Sequence, residues 1–234
     1  MKRLFILLAA AFIAGTALAQ EAQTMYIIHN NTITHQIPLS EIDSIVFETP
    51  VFPPTEVGVV INGIRWATRN VDAPGTFADN PEDAGMFYQW NRRIGWSSTD
   101  PMTDSNGNTV WNSSIPAGTA WTQANDPCPA GWRVPTHQEL ISLRDAGHEW
   151  VSNWNDTGIN GRLFGTAPNQ IFLPAAGDRR STTGELLLVG SFGSYWTSTR
   201  YADYTAQSSW FGSGGVGVGW AWRASGFSVR CVAE

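Results

Sequence analysis

The chain of 234 residues carries only 15% Asp, Glu, Lys and Arg, where about 25% is usual, and a net charge of −6 without any basic run. That balance excludes nucleic acid and anionic membrane surfaces as partners, because both recruit clustered Lys and Arg. Twelve tryptophans and 23 glycines take up the composition instead, so indoles rather than long aliphatic runs are expected to supply the buried area.

At the start, Lys2 and Arg3 precede an apolar run from Leu4 to Leu18, and Ala17-Leu18-Ala19 is a small-residue cleavage pattern. Residues 1–19 therefore read as a secretory signal peptide. No cysteine follows the cleavage point to carry a lipid anchor, and no later segment is apolar for long enough to cross a bilayer. Residues 20–49 read as a small β leader in which Met25–His29 and Thr32–Ile37 flank a turn at Asn30-Asn31, with a further strand at Ser44–Phe47. Asp43-Ser44-Ile45 fits an O-glycosylation acceptor pattern or a plain turn. Residues 50–56 hold Pro50, Pro53 and Pro54, a stiff extended linker, and the main domain follows from 57 to 234.

Within that domain, Val57–Ile61 and Ile64–Thr68 flank Asn62-Gly63, which predicts a hairpin with a type I′ turn. Asn80-Pro81-Glu82-Asp83 has the form of a helix start, with Asn80 as cap and two acids in the first turn. Asp104-Ser105-Asn106-Gly107-Asn108 alternates oxygen ligands like a calcium loop, but the position of the bidentate acid is Ile115, so a turn is expected. Between Cys128 and Leu140, Pro129, Gly131 and Pro135 set a rigid bend. Thr136 and Glu139 then have capping-box spacing for a helix with Leu140, Ile141, Leu143 and Ala146 on one face and Gly147 as its stop. Trp132 in this stretch, like Trp66, Trp90 and Trp196, is read as core.

Export to an oxidising compartment favours a disulfide between Cys128 and Cys231 over two free thiols. Closing a loop of about 100 residues contributes on the order of 4–5 kcal/mol in the chain-entropy model.

Four tail segments alternate as strands: Tyr195–Thr199, Ser208–Phe211, Val216–Trp222 and Phe227–Val232. From Arg200 to Ser225, Tyr201, Asp203, Tyr204, Gln207, Trp210, Trp220, Trp222 and Arg223 stand among Gly, Ser and Ala. Rigid aromatics among small adaptable residues is the composition of a binding surface, the alternative being a glycine-rich sheet with buried indoles. These eight residues are the candidate ligand-binding set.

No catalytic constellation accompanies them. His137 and His148 belong to no HExxH pair, and neither a Gly-x-Ser-x-Gly elbow nor a Walker loop occurs. No metal and no cofactor is expected. Glu139, Asp145, Glu149, Asp156, Asp178, Glu185 and Asp203 are the acids from which a glycosidic acid/base pair would have to come.

The stretch from Cys128 to Leu140, CPAGWRVPTHQEL, and the closing Gly226-Phe227-Ser228-Val229-Arg230-Cys231-Val232 resemble blocks of the Fibrobacter succinogenes major paralogous domain family. Trp66–Val71, Gly85–Asn91, Phe172–Gly177 and Tyr195–Thr199 resemble further blocks in the same order, so the resemblance spans roughly residues 57–234. The family is similar to the formylglycine-generating-enzyme branch of the C-type lectin-like fold. That implies an α+β domain with few helices, short irregular antiparallel strands, much loop, and ends that meet. Those relatives act through two nearby copper-binding cysteines, which a Cys128–Cys231 disulfide would remove. Trp154-Asn155-Asp156 matches a lectin calcium tripeptide, yet its partner motif is missing and it reads as part of a polar loop from Ser152 to Gly161. The leader resembles one found ahead of exported Bacteroidota domains. The tail resembles the variable segment of targets of diversity-generating retroelements. The expectation is a secreted, non-catalytic module that binds a glycan or a surface protein; the alternatives are a structural cell-surface protein and a carboxylate-dependent glycoside hydrolase.

Overall fold

The computed structural model describes residues 24–29, 32–41 and 56–234. The chain divides into two compact units, Met1–Phe52 and Pro53–Glu234. In the first, β1 (Thr24–His29) pairs antiparallel with β2 (Thr32–Pro38), with a register shift between Ile27 and Ile28, and a short 3-10 turn follows at Leu39–Glu41. The signal peptide, the Asn30-Asn31 turn, the strand at Ser44–Phe47, the Asp43-Ser44-Ile45 pattern and the linker prolines lie outside the described residues.

The second unit opens with the hairpin of β3 (Val59–Ile61) and β4 (Ile64–Trp66). Asn62 and Gly63 take φ of +50° and +79°, the two positive angles that a type I′ turn demands. The short pair β5 (Phe87–Tyr88) and β6 (Gly95–Trp96) and the strand β7 (Trp132–Arg133) come next. Helix α1 (His137–Asp145) begins at its capping box: Thr136 Oγ1 accepts from Glu139 N, and Glu139 Oε2 accepts from Thr136 N at 2.7 Å. Gly147 at φ +97° ends it. A meander of β8 (His148–Val151), β9 (Gly161–Thr166) and β10 (Asn169–Pro174) follows, then the pair β11 (Asp178–Arg179) and β12 (Leu186–Leu187). The largest ribbon is β13 (Phe192–Arg200), β14 (Thr205–Gly212) and β15 (Gly215–Trp222), paired in that order. Last, β16 (Val232–Ala233) slots between β4 and β7 and brings the two ends of the unit together.

The expectation of an α+β domain of C-type lectin-like fold is corrected by this architecture. The unit is mostly β, in several small antiparallel sheets, and α1 is the one α-helix among the described residues. The helix start foreseen at Asn80 is only a turn, in which Asp83 Oδ2 accepts from Asn80 N at 2.8 Å. No apolar repeat follows to reward a helix there. Gly85 turns the chain back at φ +65°, so close to Val71 that an added Cβ would stand 2.2 Å from its carbonyl oxygen. A second correction concerns Phe227–Val232. Only Val232 belongs to a strand, while Phe227 and Ser228 make isolated bridges to Tyr88 and Tyr195.

Two apolar clusters sit on opposite faces of the β13–β14–β15 ribbon, because successive strand residues point to opposite sides. Trp196 and Ala206 face the first, with Tyr88, Trp90, Phe227, Val229 and the Cys128–Cys231 disulfide. Tyr195 and Phe211 face the second, with Trp66, Leu140, Leu143, Phe164 and Ile171. Trp66, Trp90 and Trp196 are fully buried as expected. Trp132 is only half-buried, set edge-on to Phe77 at 5.6 Å.

Candidate functional site

The unbroken register of β14 with β15 decides which tail residues share a surface. Thr205, Gln207, Ser209 and Phe211 lie opposite Trp222, Trp220, Val218 and Val216, so these eight occupy one face of the ribbon. Near the hairpin turn that face is covered, since Phe211 and Val216 pack into the second cluster. At the other end it is bare. There Trp220 and Trp222 are 54% and 51% exposed, and Tyr201, from the turn between β13 and β14, is 56% exposed. The Tyr201 and Trp220 rings lie nearly parallel, 5° apart with centroids at 6.1 Å, and Trp222 stands perpendicular to Trp220 at 6.5 Å. Gln207 is half-buried directly across from Trp220. Tyr204 and Asp203 are exposed on the same turn, Asp203 in an ion pair with Arg200.

Two members of the expected set stand elsewhere. Trp210 alternates onto the opposite face, where it lies beside Phe192 at 6.2 Å and covers Gly217 so closely that an added Cβ would be 2.1 Å from the indole. Arg223 is only 3% exposed and points inward. Its guanidinium donates to the carbonyls of Gly118 at 2.9 Å, Ala202 at 3.0 Å and Pro116 at 3.2 Å, and sits 4.4 Å over the Trp90 ring. Burial lowers its pKa, and the ring of carbonyl acceptors and the indole face are what keep the charge tolerable there. It is a brace beneath the site, reached through residues more than a hundred positions away, which local composition does not reveal.

A concavity of about 620 Å³ that the sequence did not signal lies beside the disulfide, lined by Arg93, Trp121, Asp126, Trp132, Arg133 and Glu234 among others. Its polar groups are largely spent on the fold. Asp126 accepts from Cys128 N and Val134 N, with burial raising its pKa, and Arg133 holds Glu139 with two hydrogen bonds. The remaining acids are likewise engaged on separate elements: Asp145 with Arg144, Glu185 with Arg180, Asp156 with Asn153 and Asp178 with Ser194, while Glu149 stands exposed on β8.

Asp104 closes a side-chain turn, Oδ1 accepting from Asn106 N and Asn108 N at 2.8 Å each. Trp154 stacks on Phe172 at 4.5 Å within the loop that holds Asn155 and Asp156. Among the described residues no three His, Cys, Asp or Glu side chains gather as a metal site, and no helix is long and apolar enough to cross a membrane. No protein-family model matches the chain, and neither a curated protein nor a solved structure matches it.

Proposed function

We propose that the second unit is a non-catalytic recognition module, exported from the cell, that takes a glycan on the platform of Tyr201, Trp220 and Trp222. The observation that carries this is the exposure of three large aromatics, ring against ring, at one end of a sheet face whose other end is buried. Aromatic rings offer flat apolar surface to the C–H faces of a sugar at little conformational cost, and half-exposed indoles with no packing partner above them are otherwise unfavourable on a soluble surface. Gln207 opposite Trp220 and Asp203 on the neighbouring turn are within the same region to orient hydroxyl groups. The Cys128–Cys231 disulfide supports an oxidising compartment. The motif resemblance to the Fibrobacter paralogous domains supports a secreted, non-enzymatic role.

A glycan array probed with the purified chain tests the reading, each positive being followed by calorimetry. The Tyr201→Ala, Trp220→Ala, Trp222→Ala triple variant is expected to lose at least about 100-fold in affinity, as expected when central aromatic anchors are removed. Trp210→Ala, on the opposite face, is expected to bind as the parent does. Sugar binding that survives the triple substitution in a folded protein would sink the assignment. Selective binding to a surface protein on the same three residues would move the ligand class and leave the platform in place.

A further inference from the structure

The β13–β14–β15 ribbon has two outer strands, and they are treated differently. The outer side of β13 is closed: Trp196 N donates to Ser228 O, Ser228 N to Ser194 O, Gly177 N to Phe192 O and Ser198 N to Pro135 O. Beside β15 the direction of the hydrogen bonds follows from Arg223 N, which donates back to the carbonyl of Tyr204, the residue just before β14. Counting back in steps of two, Ala221, Gly219, Gly217 and Gly215 aim their main-chain groups at β14, while Val216, Val218 and Trp220 aim theirs outward. Those outward groups have no partner among the described residues.

Edge strands of soluble proteins are normally blunted by charge, proline, a bulge or short length. The edge strand β8 carries Glu149 and the edge strand β10 ends in Pro174. By contrast, β15 runs eight residues in continuous register with no bulge, and from Gly212 to Trp222 there is neither a charged residue nor a proline. We infer that β15 is a pairing edge whose occupant is β15 of a second copy of this chain, aligned antiparallel about a two-fold axis.

Charge bears on the place, and the symmetry of the register on the occupant. Two molecules of net charge −6 repel wherever their acidic surfaces face each other, and the Gly212–Trp222 stretch contributes no acidic side chain to oppose their approach. The symmetry also fits. An axis perpendicular to the sheet keeps each face continuous, so Trp220 of one copy meets Val216 or Val218 of its mate, an aromatic against a β-branched side chain. On the other face, Gly215 and Gly219 leave the approach open, since a Cβ built on either would meet nothing within 4 Å, while Trp210 lies over Gly217. The product is a six-stranded sheet whose two aromatic platforms share one face. Strand pairing alone buries less than a standard stable interface, so the dimer is concentration-dependent.

Sedimentation of the purified chain over a wide concentration range tests this. Val218→Pro removes only an outward-facing N–H, which edge strands tolerate, and Gly219→Lys puts a charge on the edge at an unobstructed position. Each change counts twice across a two-fold axis, so a rise in the dimer dissociation constant of about tenfold or more is expected for both. Near-ultraviolet circular dichroism confirms the fold, and if Val218→Pro does not fold, Gly219→Lys decides alone. A parent chain that is monomeric at every concentration overturns the inference, as does a dimer that Val218→Pro leaves unmoved. Glycan binding by such a monomer would leave the proposed function standing, so the two fail independently.

Discussion

Strand β15 and the segment from Gly226 to Cys231 follow one another in sequence yet are held in opposite ways. Strand β15 is regular, pairs with β14 alone, and ends in exposed indoles. The closing segment has no continuous ladder, yet Phe227, Ser228, Val229, Arg230 and Cys231 are all buried. Its main chain bonds to Arg179, to Tyr88, to Ser194 and Trp196, and to Val71 and Ala67, which belong to four separate parts of the unit. The Arg230 side chain reinforces the last of these, donating twice to Asn70 Oδ1 at 2.9 and 3.0 Å and to the carbonyls of Thr68 at 2.8 Å and Ala67 at 3.3 Å. The contrast teaches that centrality here comes from the number of different segments a stretch ties together. A repeating ladder supplies neighbours of one kind only.

Substitutions in the two stretches should separate accordingly. The largest effect is expected from Arg230→Leu, which leaves the Asn70 amide oxygen and two carbonyls buried without donors and should cost about 3–5 kcal/mol in denaturant unfolding. Burial pushes the Arg230 pKa down to about 10, and the guanidinium is held by its hydrogen bonds to Asn70 Oδ1 and to the carbonyls of Ala67 and Thr68. A loss below about 1 kcal/mol would break the comparison. Next comes Cys128→Ala with Cys231→Ala, which opens a loop of sequence separation 103 and should lower stability by about 2–5 kcal/mol. An unchanged unfolding midpoint would mean that the hydrogen bonds of the closing segment already fix its position. The smallest effect belongs to Trp222→Ala on β15, within about 0.5 kcal/mol of the parent, because the indole is half-exposed and packs on little besides Trp220. A cost above about 1.5 kcal/mol would show that the exposed face carries packing after all.

What the sequence made legible was chemistry confined to a few neighbouring residues, together with one distant link that the count of two cysteines decides. Thr136 and Glu139 cap α1, Asn62-Gly63 turns the β3–β4 hairpin, and Cys128 and Cys231, the sole cysteines, form the disulfide. Reading failed where distant partners decide. Asn80 and Pro81 look like a helix start, but the segment is held by Asp83 and by the close approach of Gly85 to Val71. Phe227–Val232 alternates like a strand, yet it is buried throughout and its bonding partners change along it. The candidate site divided for the same reason. Alternation along β14 sends Trp210 to the face opposite Trp220, and Arg223, polar and flanked by aromatics, is claimed by carbonyls of residues 116 and 118.

Arg223 also bears on how freely the site can change. It grips the turn below Tyr201, Asp203 and Tyr204 through the carbonyls of Ala202 and Thr205, and a carbonyl is present whatever side chain its residue carries. Asp203 and Tyr204 project outward from that turn, and Trp220 and Trp222 on the adjoining strand are half-exposed and touch chiefly one another and Tyr201. The rim residues can therefore be exchanged for others while the backbone beneath them keeps its course. In that respect the tip behaves as a mount with interchangeable fittings, whose exposed side chains can change without altering how the chain folds.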